Sequence, residues 1–102
     1  MEFNFKVIYS PRTKNDLNNI YDYILSHFKS SETAIKQIER ISKSIHSLSV
    51  FPKRHSIYKR DLSKMRNFRF FPVDNYVIFY EVIDAKQTVN ISRILYKGSL
   101  SD

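Results

Sequence analysis

Apolar and polar positions alternate along the first nine residues, with Phe3, Phe5, Val7 and Tyr9 on one side and Glu2, Asn4, Lys6 and Ile8 on the other. This is the period of a strand with one buried face. After Tyr9 the period lengthens. Leu17, Ile20, Tyr21, Ile24, Leu25 and Phe28 recur at i, i+3, i+4, i+7, i+8 and i+11, which places six apolar side chains on one stripe of a helix, and Lys14, Asn15, Asn18, Asn19 and Asp22 fall opposite. Ser10 can accept from an unpaired amide of that helix, and Pro11 suits a first turn where its missing N–H has no partner anyway. Ser30 and Ser31 interrupt the stripe, and either can cap a second helix with Glu32 at the positive end of its dipole. Ala34, Ile38, Ile41, Ile45 and Leu48, spaced by four, three, four and three, predict a seam that packs the two helices as an antiparallel hairpin. Phe51-Pro52 closes it, because proline disfavours helical geometry in the residue before it.

From Arg66 the period returns to two, with Phe68 and Phe70 on one side, Asn67, Arg69 and Phe71 on the other, and Pro72 expected to stop the strand. Asp74-Asn75 reads as a tight turn. The run Tyr76 to Val82 is almost continuously apolar and β-favouring, as in a central strand covered on both faces, so Tyr76 and Tyr80 are expected in the core. Asp84 to Thr88 is turn-like, and Val89, Ile91, Arg93 and Leu95 then alternate with Asn90, Ser92, Ile94 and Tyr96 in a last strand. The expected architecture is α+β in the order β-α-α-β-β-β: an N-terminal strand, an antiparallel helical hairpin, then a three-stranded antiparallel meander, with the helices packed on one side of the sheet. Residues 1–102 read as a single domain without repeats or linkers.

Composition narrows the chemistry. Seven tyrosines and eight phenylalanines supply a core, and the lack of cysteine excludes disulfides and agrees with a reducing cytosol. His27, His46 and His55 stand alone with no ligand-spaced partner, so neither a metal site nor a cofactor is expected. No signal-peptide pattern opens the chain and no segment could span a bilayer, which points to the cytoplasm and away from a membrane. Charge is the sharpest feature. Between Lys53 and Arg69 lie Lys53, Arg54, Lys59, Arg60, Lys64, Arg66 and Arg69 against Asp61 alone, so this stretch carries +6 of the net +7. With His55, Tyr58 and Phe68 among these bases, the stretch offers phosphate contacts and stacking surfaces to a nucleic acid. The plainer alternative is a solvated basic loop.

Four segments carry a resemblance: S-P-R-x-x-x-D-L-x-x-I-x-x-Y-I from Ser10 to Ile24, L-x-x-F-P from Leu48 to Pro52, D-N-Y-V-I-F-Y from Asp74 to Tyr80, and I-x-R-I-L-Y from Ile91 to Tyr96. In this order over nearly the full length they resemble the RelE/ParE toxin superfamily. The resemblance implies the toxin of a bacterial type II toxin-antitoxin pair, silenced by a cognate antitoxin that wraps it. RelE-like members cut messenger RNA on the ribosome, whereas ParE-like members inhibit DNA gyrase without nuclease chemistry.

Metal-free RNA cleavage calls for a base, cations at the phosphate and an acid. Arg69, Tyr96 and Lys97 are the candidate catalytic residues the resemblance implies, and Lys53, Arg54, His55, Lys59, Arg60, Lys64, Arg66 and Arg93 the candidate nucleic-acid contacts. Arg69 is expected on the concave face if the helices cover Phe68 and Phe70, and Arg93 either contacts phosphate or pairs with Glu81 across the sheet. Val77 stands where RelE-like toxins commonly present an arginine, and the tail after Lys97 lacks paired arginines. The long helical hairpin resembles the ParE-like branch. The basic stretch tips the expectation toward ribosome-dependent cleavage, with gyrase inhibition as the alternative and a small basic nucleic-acid-binding module as a third.

Overall fold

Ser10 starts the first helix as its chemistry predicts, its Oγ accepting from the Thr13 amide at 3.1 Å. The computed structural model describes residues 4–59 and 67–100. Strand β1 (Lys6–Tyr9) leads into α1 (Pro11–Phe28) and α2 (Ser31–His46), followed by β2 (Arg69–Val73), β3 (Tyr76–Ile83) and β4 (Thr88–Tyr96). Lys29, left-handed at φ 53°, ends α1, and Ser30 rather than Ser31 caps α2 through the Thr33 amide at 3.2 Å.

The sheet order is β1-β4-β3-β2. The last three strands form the expected antiparallel meander, and β1 returns to pair with β4 in parallel, Lys6 opposite Thr88 through Tyr9 opposite Ile91. Both helices lie on one face. Ile20 and Ile24 of α1 and Ala34, Ile41 and Ile45 of α2 meet Phe71, Tyr76, Ile78, Tyr80, Val89, Ile91 and Ile94 of the sheet in one core. Ile41, Ile45 and Leu48 are wholly buried, each contributing roughly 1.5–3 kcal/mol relative to exposure. Phe28, the sixth member of the α1 stripe, is instead 61% exposed; it closes the helix with its ring edge on His27.

Three details differ from expectation. β2 runs through Pro72 to Val73, because it is the last strand in the sheet order and a proline there removes no ladder bond on its outer side. Its core-facing side is that of Phe71, so Arg69, opposite the buried Tyr80, lies on the helix-covered face and not on the open one. Phe70 faces away and packs with Phe79 and Tyr58. The register that starts at Tyr76 opposite Tyr96 places Arg93 opposite Phe79, and after a shift between Phe79 and Tyr80 Glu81 lies opposite Asn90, so the cross-strand neighbour of Arg93 is not Glu81.

Candidate functional site

β1 is shorter than β4, and where it ends the β4 backbone from Ile91 to Ile94 loses its neighbour. The first two turns of α1 replace it. The Ser10 amide and the Thr13 hydroxyl donate to the Ile91 carbonyl at 3.1 and 2.8 Å, and the Ser10 hydroxyl donates to the Ser92 carbonyl at 3.2 Å. The carboxylate of Asp16 accepts from the buried Ile94 amide at 2.9 Å and from Arg93 Nε and Nη2 at 2.9 and 3.1 Å. Ser10, Thr13 and Asp16 stand at i, i+3 and i+6 and so present one row of polar side chains to one strand edge. The opening S-P-R-x-x-x-D segment therefore stitches helix to sheet, and Arg93 is held by Asp16.

At the far end, the chain turns from α2 into the sheet through residues 47–55. Phe51 adopts the left-handed conformation, φ 49° and ψ 56°, ahead of a buried Pro52. Donors from several directions meet the carbonyls of this turn. Arg54 Nη1 reaches those of Ser47, Val50 and Phe51 at 3.3, 2.7 and 3.1 Å, and its Nη2 reaches Ser47 Oγ at 2.7 Å. Tyr80 Oη donates to Pro52 at 2.6 Å, and Arg69 Nη1 donates to Lys53 and His55 at 3.2 and 2.7 Å. His55 stacks on Phe71 with centroids 4.4 Å apart, and burial, then the neighbouring Arg54 charge, push its imidazole below the ordinary value. Lys53 pairs with Asp84 at 2.7 Å, both more than half exposed; such a pair contributes under about 1 kcal/mol.

A groove of about 350 Å³ opens between α1 and the other end of the sheet, lined by Asn19, Ile20, Tyr23, Tyr76 and Tyr96. Tyr76 and Tyr96 face each other edge-on at 6.0 Å, while burial, with Tyr23 and Tyr96 nearby, pushes the Tyr76 phenol up. The Tyr96 ring lies so close over Gly98 that a Cβ there would come within 2.5 Å of it. Lys97 follows directly and donates its amide to the Asn75 carbonyl at 2.7 Å.

The sequence-predicted residues thus fall into separate groups. Tyr96 and Lys97 sit at the groove end, where Tyr96 pairs with Tyr76, and Arg69 sits at the turn end, opposite Tyr80. Four strand residues and two strand spacings separate Arg69 from Tyr96, about 13 Å along the sheet and about 10 Å across it, with the buried Ile78 and Ile94 in that same layer. Lys53, Arg54 and His55 share the turn with Arg69, Lys59 is exposed, and Arg93 belongs to the α1 stitch. Arg60, Lys64 and Arg66 lie outside the described residues. Sequence reasoning missed Thr13, Asp16, Phe51 and the tyrosine groove. The signal for the first two was present, because Thr13 and Asp16 extend the buried row of Ile20 and Ile24 at helical spacing.

Among the described residues no group of histidines, cysteines or carboxylates is arranged to hold a metal ion, and no helix is long and apolar enough to cross a membrane. No curated protein matches the chain. The fold is similar to that of a chain of the chromosomal ParDE toxin-antitoxin system from P. aeruginosa, at a TM-score of 0.74 and 17% identity over 92% of this chain and 97% of the other. It is also similar to a chain of the RelBE2 toxin-antitoxin complex from Mycobacterium tuberculosis, at 0.61 and 19% identity over 91% of each. Residues 7–99 match the family described as the ParE toxin of the type II toxin-antitoxin system parDE. With that match running over nearly the whole chain and the β-α-α-β-β-β fold beneath it, the chain belongs to the ParE toxin family.

Proposed function

We propose that this toxin arrests growth by binding DNA gyrase, without cutting RNA, and that a cognate antitoxin holds it silent. One observation carries this reading: among the described residues, the groups that metal-free cleavage would need around a single phosphate do not converge. Arg54 and Arg69 direct their guanidiniums to backbone carbonyls of the 47–55 turn, Arg93 is held by Asp16, and Tyr96 lies at the opposite end of the sheet. Lys97 follows Tyr96 at that end, but the described arginines that would share the transition-state charge of a phosphate there are held elsewhere. The family match and the ParDE likeness support the same branch.

The test is purified toxin in two reactions, gyrase supercoiling and ribosome-bound message cleavage. Wild type is expected to inhibit supercoiling and leave messages whole, and Tyr96→Phe is expected to arrest growth as wild type does. Codon-internal cuts that vanish in Tyr96→Phe, with gyrase unaffected, would return the mechanism to the nuclease branch.

A further inference from the structure

An inhibitor without chemistry acts only through the surface it presses against its target, and one side chain here is shaped for pressing. Phe51 is 74% exposed, the most exposed of the large hydrophobic residues described. A lone apolar side chain at a surface is ordinary. Phe51 differs in how it is held. An aromatic residue rarely adopts the left-handed conformation, which persists only where surrounding structure over-determines it. That over-determination is visible: the carbonyls of Ser47, Val50 and Phe51 are gathered by Arg54, Ser49 accepts from the Phe5 amide, Pro52 from Tyr80, and Lys53 and His55 from Arg69. The turn has little freedom left, and what it presents outward is one ring followed by the half-exposed Lys53.

We propose that Phe51 is the anchor with which the toxin docks into an apolar, acid-rimmed pocket on a folded protein, which under the gyrase reading, on which this inference rests, is gyrase. A fixed knob suits a pocket that already exists, because neither side loses much freedom on docking. A flexible antitoxin segment has no such pocket and is better served by a groove. The groove between α1 and the sheet lies at the other end of the molecule. The acidic rim follows from charge: Lys53 comes two residues after the ring, is more than half exposed and pairs with the exposed Asp84, a surface acid that a partner's carboxylate can replace.

The experiment compares wild type, Phe51→Ala and Phe51→Gly for gyrase affinity, antitoxin affinity and growth arrest. Glycine suits the left-handed backbone, so at least one variant keeps the fold. Both are expected to lose gyrase affinity by about 10- to 100-fold, as hot-spot aromatics do, with arrest weakened and antitoxin affinity within about twofold of wild type. Unchanged gyrase affinity overturns the anchor, as does a loss that falls on the antitoxin instead. If wild type arrests growth without binding gyrase, the gyrase reading fails separately. Arrest lost in both variants with antitoxin still bound then supports Phe51 as the anchor to another target, and arrest retained overturns it.

Discussion

Asp16 shows how one side chain can serve two partners through three hydrogen bonds. Its carboxylate lies mostly buried between the Ile94 amide and the Arg93 guanidinium, so removing it leaves a buried donor without an acceptor and a half-buried charge without its counter-ion. Each of these effects is worth more than the hydrogen bond itself. Asp16→Ala is therefore expected to lower unfolding free energy by about 2–4 kcal/mol, read as a lower urea midpoint with an unchanged slope. A loss below about 0.5 kcal/mol, the ordinary range for surface substitutions, would show the stitch to be ornamental. Ser10 was legible in the sequence because an N-cap is a local device, settled by a neighbour three residues on. Asp16 was legible only as a member of the buried α1 row, since its partners lie 77 and 78 residues away and no local rule names them. Arg93 went astray for the same reason: alternation placed it in a strand correctly but could not say that the first turns of a helix would lie beside it.

The elements themselves follow their periodicities closely, since both helices and all four strands appear where the apolar spacing puts them. What period alone leaves open is which side of a strand is inward. β2 carries aromatic side chains on both sides, Phe70 on one and Phe71 on the other, so alternation gave no preference and Arg69 fell on the covered face. The turn joining α2 to β2 was legible only as the place where Pro52 ends a helix; its dense set of carbonyl acceptors depends on Tyr80 and Arg69, which arrive from later strands. His55 in this turn makes a pH dependence. Its folded pKa lies below 6.5, so in the interval between the two values only the unfolded chain takes up the proton. Stability should thus fall as pH drops through about 6.5 and level off once the folded form also protonates. His55→Phe, which keeps a ring against Phe71, is expected to show a smaller decline in urea midpoint between pH 7.5 and pH 5. Identical declines in the two proteins would remove His55 as the source.

Across the whole molecule, charge was legible in amount and not in use. Of the seven bases between Lys53 and Arg69, Arg54 and Arg69 bind the turn and Lys53 faces Asp84, which leaves at most four, Lys59 and the three outside the described residues, to meet an external anion. Binding to single-stranded RNA should accordingly be weak, with log K falling against log[salt] at a slope no steeper than about −3; seven phosphate contacts would give about −5. Titration at several salt concentrations reads the slope directly, and the steeper value would bring back a polyanion target. The family was legible because its motifs mark the structural joints, the α1 stitch and the Phe51-Pro52 turn among them, and joints are set by the fold whatever the target. The parallel pairing of β1 with β4 has a further consequence for biosynthesis. Residues 6–9 find their hydrogen-bonding partners at 88–91, so a nascent chain must be translated past residue 91 before this strand can be locked in place. Non-local closure of this kind is slow, and a chain emerging from the ribosome therefore holds its first strand unpaired while the helices behind it can already form.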